Sequence, residues 1–159
     1  MNVYLIRHGE AESGGYSVTD FERRLTPHGK KVVKKAAEYW KKIIPLPDLI
    51  VSSPLLRAKE TAEIVHDVFG VKSAIVFDRL LAGNTDTDSV CEMINIFGVN
   101  SVMLFGHEPD MSTHLSNMTT GGHLHVEFKK AMIARISFPS RAGRGRGALE
   151  FLIPVKIFE

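Results

Sequence analysis

Apolar residues fall in two rhythms along this chain: short unbroken runs, and longer stretches in which they recur every three or four positions. Unbroken runs occur at residues 3–6, 49–51, 74–77 and 102–105, and each predicts a short strand buried on both faces. Helical spacing fills the gaps. After Thr26-Pro27, a threonine cap with proline at the first helical position, Val33, Ala36, Ala37, Trp40 and Ile44 share one face. Lys30, Lys31, Lys34, Lys35, Lys41 and Lys42 line the other, and Pro45 and Pro47 end the helix. Ser53-Pro54 repeats the cap-and-proline start. Leu55, Ala58, Ala62, Val65 and Phe69 then form a stripe that Gly70 closes. A third helix is predicted over residues 88–97, with Val90, Cys91, Ile94 and Phe97 facing in, and a fourth over 109–118. Residues 9–24 are polar and without period, so they read as a loop. Residues 131–138 and 149–155 read as late strands, antiparallel and at an edge.

Alternating strands and helices predict an α/β fold: a three-layer α/β/α sandwich with a mostly parallel sheet and antiparallel edge strands. The 159 residues suit one domain over 1–159. A formal charge of +2 gives no argument for nucleic acid, and no apolar run is long enough to span a bilayer. Cys91 is the single cysteine, so no intramolecular disulfide is possible; it reads as a small core hydrophobe. Met1 leads straight into the first strand with no leader pattern, and a cytoplasmic location is expected. The Arg-Gly patch at residues 140–147 lies between two strands and reads as a mobile hairpin loop rather than an RNA-binding segment.

The chemistry sits where strands end. Arg7-His8-Gly9 follows the first strand, Arg57 lies in the first turn after the second, and Gly106-His107-Glu108-Pro109 follows the fourth. In a parallel sheet those C-terminal ends lie together and form the ligand crevice. Arginines grip phosphate bidentately, one imidazole can attack phosphorus, and another can stabilise the charge that develops. Each residue also has a plainer reading. His8 and His107 would each serve as a turn histidine bonded to a carbonyl, and Arg57 would pair with Glu60. The joint placement favours a phosphate pocket. Gly9 is expected to let backbone approach a ligand, and Gly106 to permit a tight turn. His123 and His125 would share a strand face but lack a third metal ligand. His28, His66 and His114 fall in helical stretches without an evident task.

These segments, with Arg24-Leu25-Thr26-Pro27-His28-Gly29, Ser53-Pro54-Leu55-Leu56-Arg57-Ala58 and Ala131-Met132-Ile133-Ala134, resemble the histidine phosphatase superfamily, the phosphoglycerate mutase-like proteins. Within it they are most similar to the small bacterial phosphohistidine phosphatases of the SixA type, and the likeness spans nearly the whole chain. The resemblance implies that His8 is the phosphorylated nucleophile and that Arg7, Arg57 and His107 complete the phosphate pocket. No metal or cofactor is implied. The mutase-like members carry a phosphate-contacting asparagine soon after Arg-His-Gly; here Glu10-Ala11-Glu12-Ser13-Gly14-Gly15 follows instead. Larger members carry a long lid insertion with an acidic residue after the third strand. Here only about twenty residues separate Asp78 from Ser101, so the site is expected to be open and shallow. Glu10, Glu12 and Asp86 are the carboxylates nearest in sequence, with no ground for choosing among them as an acid.

A sugar or glycerate alkoxide needs a positioned acid to leave. A phosphohistidine protonates its own ring near neutral pH and leaves as imidazole. The expected activity is therefore hydrolysis of phosphohistidine on a protein partner through a covalent intermediate on His8. The alternatives are hydrolysis of a small phosphorylated metabolite, and a non-catalytic phosphate-binding module. The oligomeric state is not legible.

Overall fold

A computed structural model describes residues 1–14 and 19–157. β1 (Asn2–Arg7) leads to the short 3-10 helix Asp20–Glu22, then α1 (Pro27–Ile43), β2 (Leu49–Ser52), α2 (Leu56–Phe69) and β3 (Val76–Phe77). A second 3-10 turn (Arg79–Leu81), α3 (Thr87–Phe97), β4 (Ser101–Gly106), α4 (Asp110–Thr120), β5 (Ile133–Ser137) and β6 (Ala148–Ile153) follow, with a last 3-10 turn at Val155–Ile157.

The six strands form one sheet in the order β3-β2-β4-β1-β5-β6. β1–β4, β4–β2 and β2–β3 are parallel, and β1–β5 and β5–β6 antiparallel. Because strand side chains alternate, one continuous apolar run feeds two cores. Val3 and Leu5 pack with Val102 and Leu104 beneath Val90 and Ile94 of α3 and Met111 and Leu115 of α4. Tyr4 and Ile6 pack with Met103 and Phe105 beneath Val33, Ala37 and Trp40 of α1 and Ala62, Val65 and Phe69 of α2. This is the three-layer sandwich that the spacing predicts.

Several boundaries differ from the sequence reading. α1 has its predicted cap, Thr26 Oγ1 accepting from Gly29 N at 2.9 Å. α2 does not start at Ser53: its N-cap is Leu55, and Ser53 turns its hydroxyl to other partners. The third strand shrinks to two residues because it pairs only with β2 at the sheet's outer edge, leaving Phe77 exposed. Within the polar stretch 9–24, the described part holds the 3-10 helix Asp20–Glu22, and Ala11 bridges Leu25. The Arg-Gly hairpin is pinned rather than mobile. Asn95 exchanges two hydrogen bonds with the backbone of Ala142, and Gly145 and Gly147 donate to the carbonyls of Asn117 and Met118. Arg144 pairs with Asp88 at 3.5 Å. No helix among the described residues is long and apolar enough to cross a membrane.

Candidate active site

Parallel pairing carries the three segments to one end of the sheet. β4 lies between β1 and β2. His8 N donates to Gly106 O at 3.1 Å and Ser53 N to Phe105 O at 2.9 Å, so the residues after β1 and β2 are both tied to the end of β4. The ring centroids of His8 and His107 stand 5.1 Å apart, and Arg57 Nε reaches His8 Nε2 at 3.3 Å. His8, Arg57 and His107 are each less than one-tenth exposed.

His8 Nδ1 lies 2.7 Å from the carbonyl of Gly9. A carbonyl only accepts, so Nδ1 carries the proton and Nε2 keeps its lone pair, which receives the Arg57 N–H. Burial pushes the His8 pKa down to about 3, aided by the positive neighbours Arg57 and Arg7 and by His107, while the Gly9 bond opposes it. His8 is thus a neutral imidazole with one nitrogen fixed as donor and the other as nucleophile or acceptor.

His107 is also lowered, to about 4, by burial and then by Arg57 and Arg7; Asp20 and Asp110 pull the other way. It is therefore neutral before an anion arrives. Its Nε2 lies 2.8 Å from Ser53 Oγ, and its Nδ1 is buried without a partner. Ser53 Oγ also accepts from Leu55 N at 3.2 Å. A buried ring nitrogen without a partner is costly, and a bound anion or its proton would relieve that cost.

The guanidinium of Arg57 is held by residues that sequence spacing did not single out. Nη1 donates to Asp20 O at 2.6 Å and Nη2 to Asp20 Oδ2 at 3.1 Å. Arg23 meets the same carboxylate at 2.9 Å, forming a chain Arg57–Asp20–Arg23. Partial burial would raise the Asp20 pKa, but the hydrogen bonds from Arg23 and Arg57 hold it below its ordinary value. Arg57 does not pair with Glu60, which instead accepts from Leu25 N and Lys30 Nζ. Arg7 donates through Nη1 to Phe128 O at 2.9 Å, and its buried Nε has no partner. Burial lowers its pKa, and the charge of Glu108 opposes that shift.

Both glycines have a packing role. A Cβ on Gly9 would collide with Val33 of α1, and one on Gly106 with the Met111 side chain of α4. Ala131, at a φ of 54°, donates its N–H to the carbonyls of both Arg7 and His8 and so clamps the end of β1.

The three carboxylates considered as acids have no hydrogen bond or ion pair to His8, Arg57 or His107 among the described residues. Asp86 caps α3, accepting from Ser89 N and Oγ. Glu10 is exposed and accepts from Thr26 Oγ1, and Glu12 is exposed. His123 and His125 are exposed and outside any strand; among the described residues no three His, Cys, Asp or Glu side chains gather as metal ligands. His66 Nε2 lies 3.0 Å from Ser73 O, and His114 is a buried core histidine against Thr87 Oγ1 at 2.9 Å.

The family model of the histidine phosphatase superfamily, branch 1, matches residues 3–81, the half of the chain that holds Arg7, His8 and Arg57. The chain belongs to the histidine phosphatase superfamily. Among its relatives, a phosphohistidine phosphatase SixA homolog of Haemophilus influenzae is 29% identical over 147 residues, 86% of this chain and 87% of that protein. An uncharacterised protein of a Picosynechococcus species is 30% identical over 137 residues, 84% of this chain and 82% of that one. A solved structure of the protein histidine phosphatase SixA, complexed with tungstate, superposes with a TM-score of 0.88 at 23% identity over all of both chains. Between β3 and β4 only the turn Arg79–Leu81 and α3 intervene. The 3-10 helix Asp20–Glu22 lies against Arg57 through Asp20.

Proposed function

We propose that this chain is a protein phosphohistidine phosphatase acting through a phosphorylated His8. The observation that carries the reading is the His8 ring itself. Its Nδ1–H is committed to Gly9 O, its Nε2 is unprotonated, and a guanidinium N–H stands 3.3 Å from that nitrogen. A buried imidazole with a pKa of about 3 stays nucleophilic across all physiological pH.

The phosphoryl group of the substrate enters between His8 and His107. Arg7 and Arg57 take its oxygens, and the buried Nδ1 of His107, which has no partner among the described residues, gains one. His8 Nε2 attacks phosphorus in line. The P–N bond to the substrate imidazole breaks, and that ring leaves with its own proton as neutral imidazole. Water then attacks phospho-His8, inorganic phosphate departs, and the neutral ring returns. No carboxylate acid is required, which suits a site whose sequence candidates Glu10, Glu12 and Asp86 are engaged elsewhere or exposed. A phosphorylated metabolite with an alkoxide leaving group would need one. The names of the relatives lend support, as does the tungstate, a tetrahedral oxyanion, carried by the structural neighbour. A cytoplasmic location, where phosphorylated proteins are met, is part of the same reading.

The test is intact-protein mass spectrometry under neutral conditions after brief mixing with phosphoramidate, alongside phosphate release from a phosphohistidine protein. Wild type acquires one transient phosphate adduct and releases phosphate; His8→Ala does neither while keeping its circular dichroism spectrum. Turnover by a folded His8→Ala would remove His8 from the nucleophile role.

A further inference from the structure

Beside the phosphate pocket lies a second concavity that the mechanism does not use. It is a cleft of about 310 Å³ walled by Arg7, Lys129, Lys130 and Lys156, with Glu10 as the one carboxylate in its lining among the described residues. That carboxylate already accepts from Thr26 Oγ1. Lys129 reaches the exposed Glu127 at 3.3 Å, whereas Lys130 and Lys156 have no ion-pair partner among the described residues. The clustering does not follow from bulk composition, since the whole chain carries a formal charge of only +2. Three separate segments bring these cations together: the end of β1, the stretch before β5, and the turn after β6. Like charges gathered in one concavity repel unless an anion joins them.

The cleft is joined to the pocket by Arg7. Its Nη1 is held by the carbonyl of Phe128, and Lys129 and Lys130 come next in the chain, so the segment that orients Arg7 also carries two of the cations. Aliphatic surface of Val32 on α1 and of Val155 lines the cleft as well.

We propose that this cleft docks an acidic segment of the phosphorylated protein partner, with its carboxylates on Lys129, Lys130 and Lys156 while the phosphohistidine enters over Arg7. The proposal rests on the phosphohistidine phosphatase reading. It adds what that reading lacks, a basis for choosing among phosphohistidine proteins: acidic flanking residues are selected and basic ones rejected. Aliphatic walls between the lysines suit the apolar side chains of a peptide better than the sugar–phosphate backbone of a nucleic acid. Surface charge of this kind acts on the encounter and on substrate affinity, not on the chemical step.

The test uses labelled unphosphorylated peptides centred on histidine, one flanked by glutamates and one by glutamines, with fluorescence anisotropy as readout. Full-length wild type is compared with a Lys130→Gln, Lys156→Gln double variant, and phosphoramidate turnover is measured on both. Wild type is expected to bind the glutamate peptide at least tenfold more tightly, a difference of about 1.4 kcal/mol. The double variant loses most of that preference while its phosphoramidate turnover stays unchanged, and added salt erodes the wild-type preference. Equal binding of the two peptides, or a preference that survives the double substitution, overturns the proposal. So does tighter binding of a single-stranded oligonucleotide of matched charge through the same lysines. Absence of phosphoramidate turnover in wild type, with the acidic preference intact, counts against the phosphatase reading and not against the cleft.

Discussion

Acidification should destabilise this protein earlier than its carboxylates alone would allow, because two site histidines are buried in the neutral form. An exposed histidine titrates near about 6.5. In the fold His8 is held down to about 3 and His107 to about 4, in both cases chiefly by burial. Below pH 6.5 the unfolded chain therefore binds protons that the folded chain refuses. Stability then falls as pH falls, and the loss from each histidine ends only near its folded pKa. Between pH 7 and pH 5 each ring withdraws about 2 kcal/mol, or about 4 kcal/mol for the pair. Buried His114 is lowered as well, by desolvation, and adds loss in the same direction. Against a typical domain stability of about 5–15 kcal/mol that is a large fraction. The pairing of Asp20 with Arg23 and Arg57 fails in a more acidic window, below its ordinary carboxylate range, so the two effects separate on the pH axis. Urea unfolding at pH 7, 6 and 5 measures the slope for wild type and for His8→Asn, which keeps a polar side chain but cannot titrate. The variant should lose about 2 kcal/mol less than wild type over that range. Identical slopes would refute the claim that His8 is held neutral in the fold.

Arg57→Ala should weaken vanadate binding at least tenfold, about 1.4 kcal/mol by equilibrium titration; unchanged affinity would mean that the guanidinium serves only to hold the helix Asp20–Glu22. Ala131→Gly should stabilise the protein by about 1 kcal/mol in urea unfolding, since Ala131 occupies a positive φ of 54° that glycine tolerates, with turnover retained because its N–H contacts remain. Trp40→Ala should cost about 3–5 kcal/mol in the same assay, because the indole is wholly enclosed between α1 and the sheet; a loss below about 1 kcal/mol would place Trp40 outside the core.

Periodicity was enough to read the layers. Runs such as Val3-Tyr4-Leu5-Ile6, short and bounded by polar residues, read as strands covered on both faces, and the structure divides that run between two cores. The spacing Val33, Ala36, Ala37, Trp40 marked the buried face of α1, which the structure also shows. Strand ends marked the site as well, since a parallel sheet must gather its C-terminal ends. His8, Arg57 and His107 meet for that topological reason, although roughly a hundred residues of sequence part the first from the last.

What spacing could not supply is what long-range contacts decide. Ser53 before Pro54 reads as a helix cap, but its hydroxyl is drawn to His107 across the β2–β4 pair. Asp20 lies in an aperiodic polar stretch, and only the fold brings it against Arg57 from thirty-seven residues away. Gly9 and Gly106 read as ligand and turn glycines, and the spacing does not show that helices packed on opposite faces of the sheet also leave no room for a Cβ there. The Arg-Gly hairpin reads as mobile because composition says nothing of Asn95, whose amide pins Ala142. Protonation belongs to the same class. A histidine carries a pKa near 6.5 until burial and two arginines depress it, and neither burial nor neighbouring charge is a local property of the chain. Local pattern thus determined which elements form and at which end of the sheet chemistry gathers. Tertiary packing alone decided the charge state, the partners and the neighbouring basic cleft, because each arises from groups far apart in sequence meeting in a medium of low polarity.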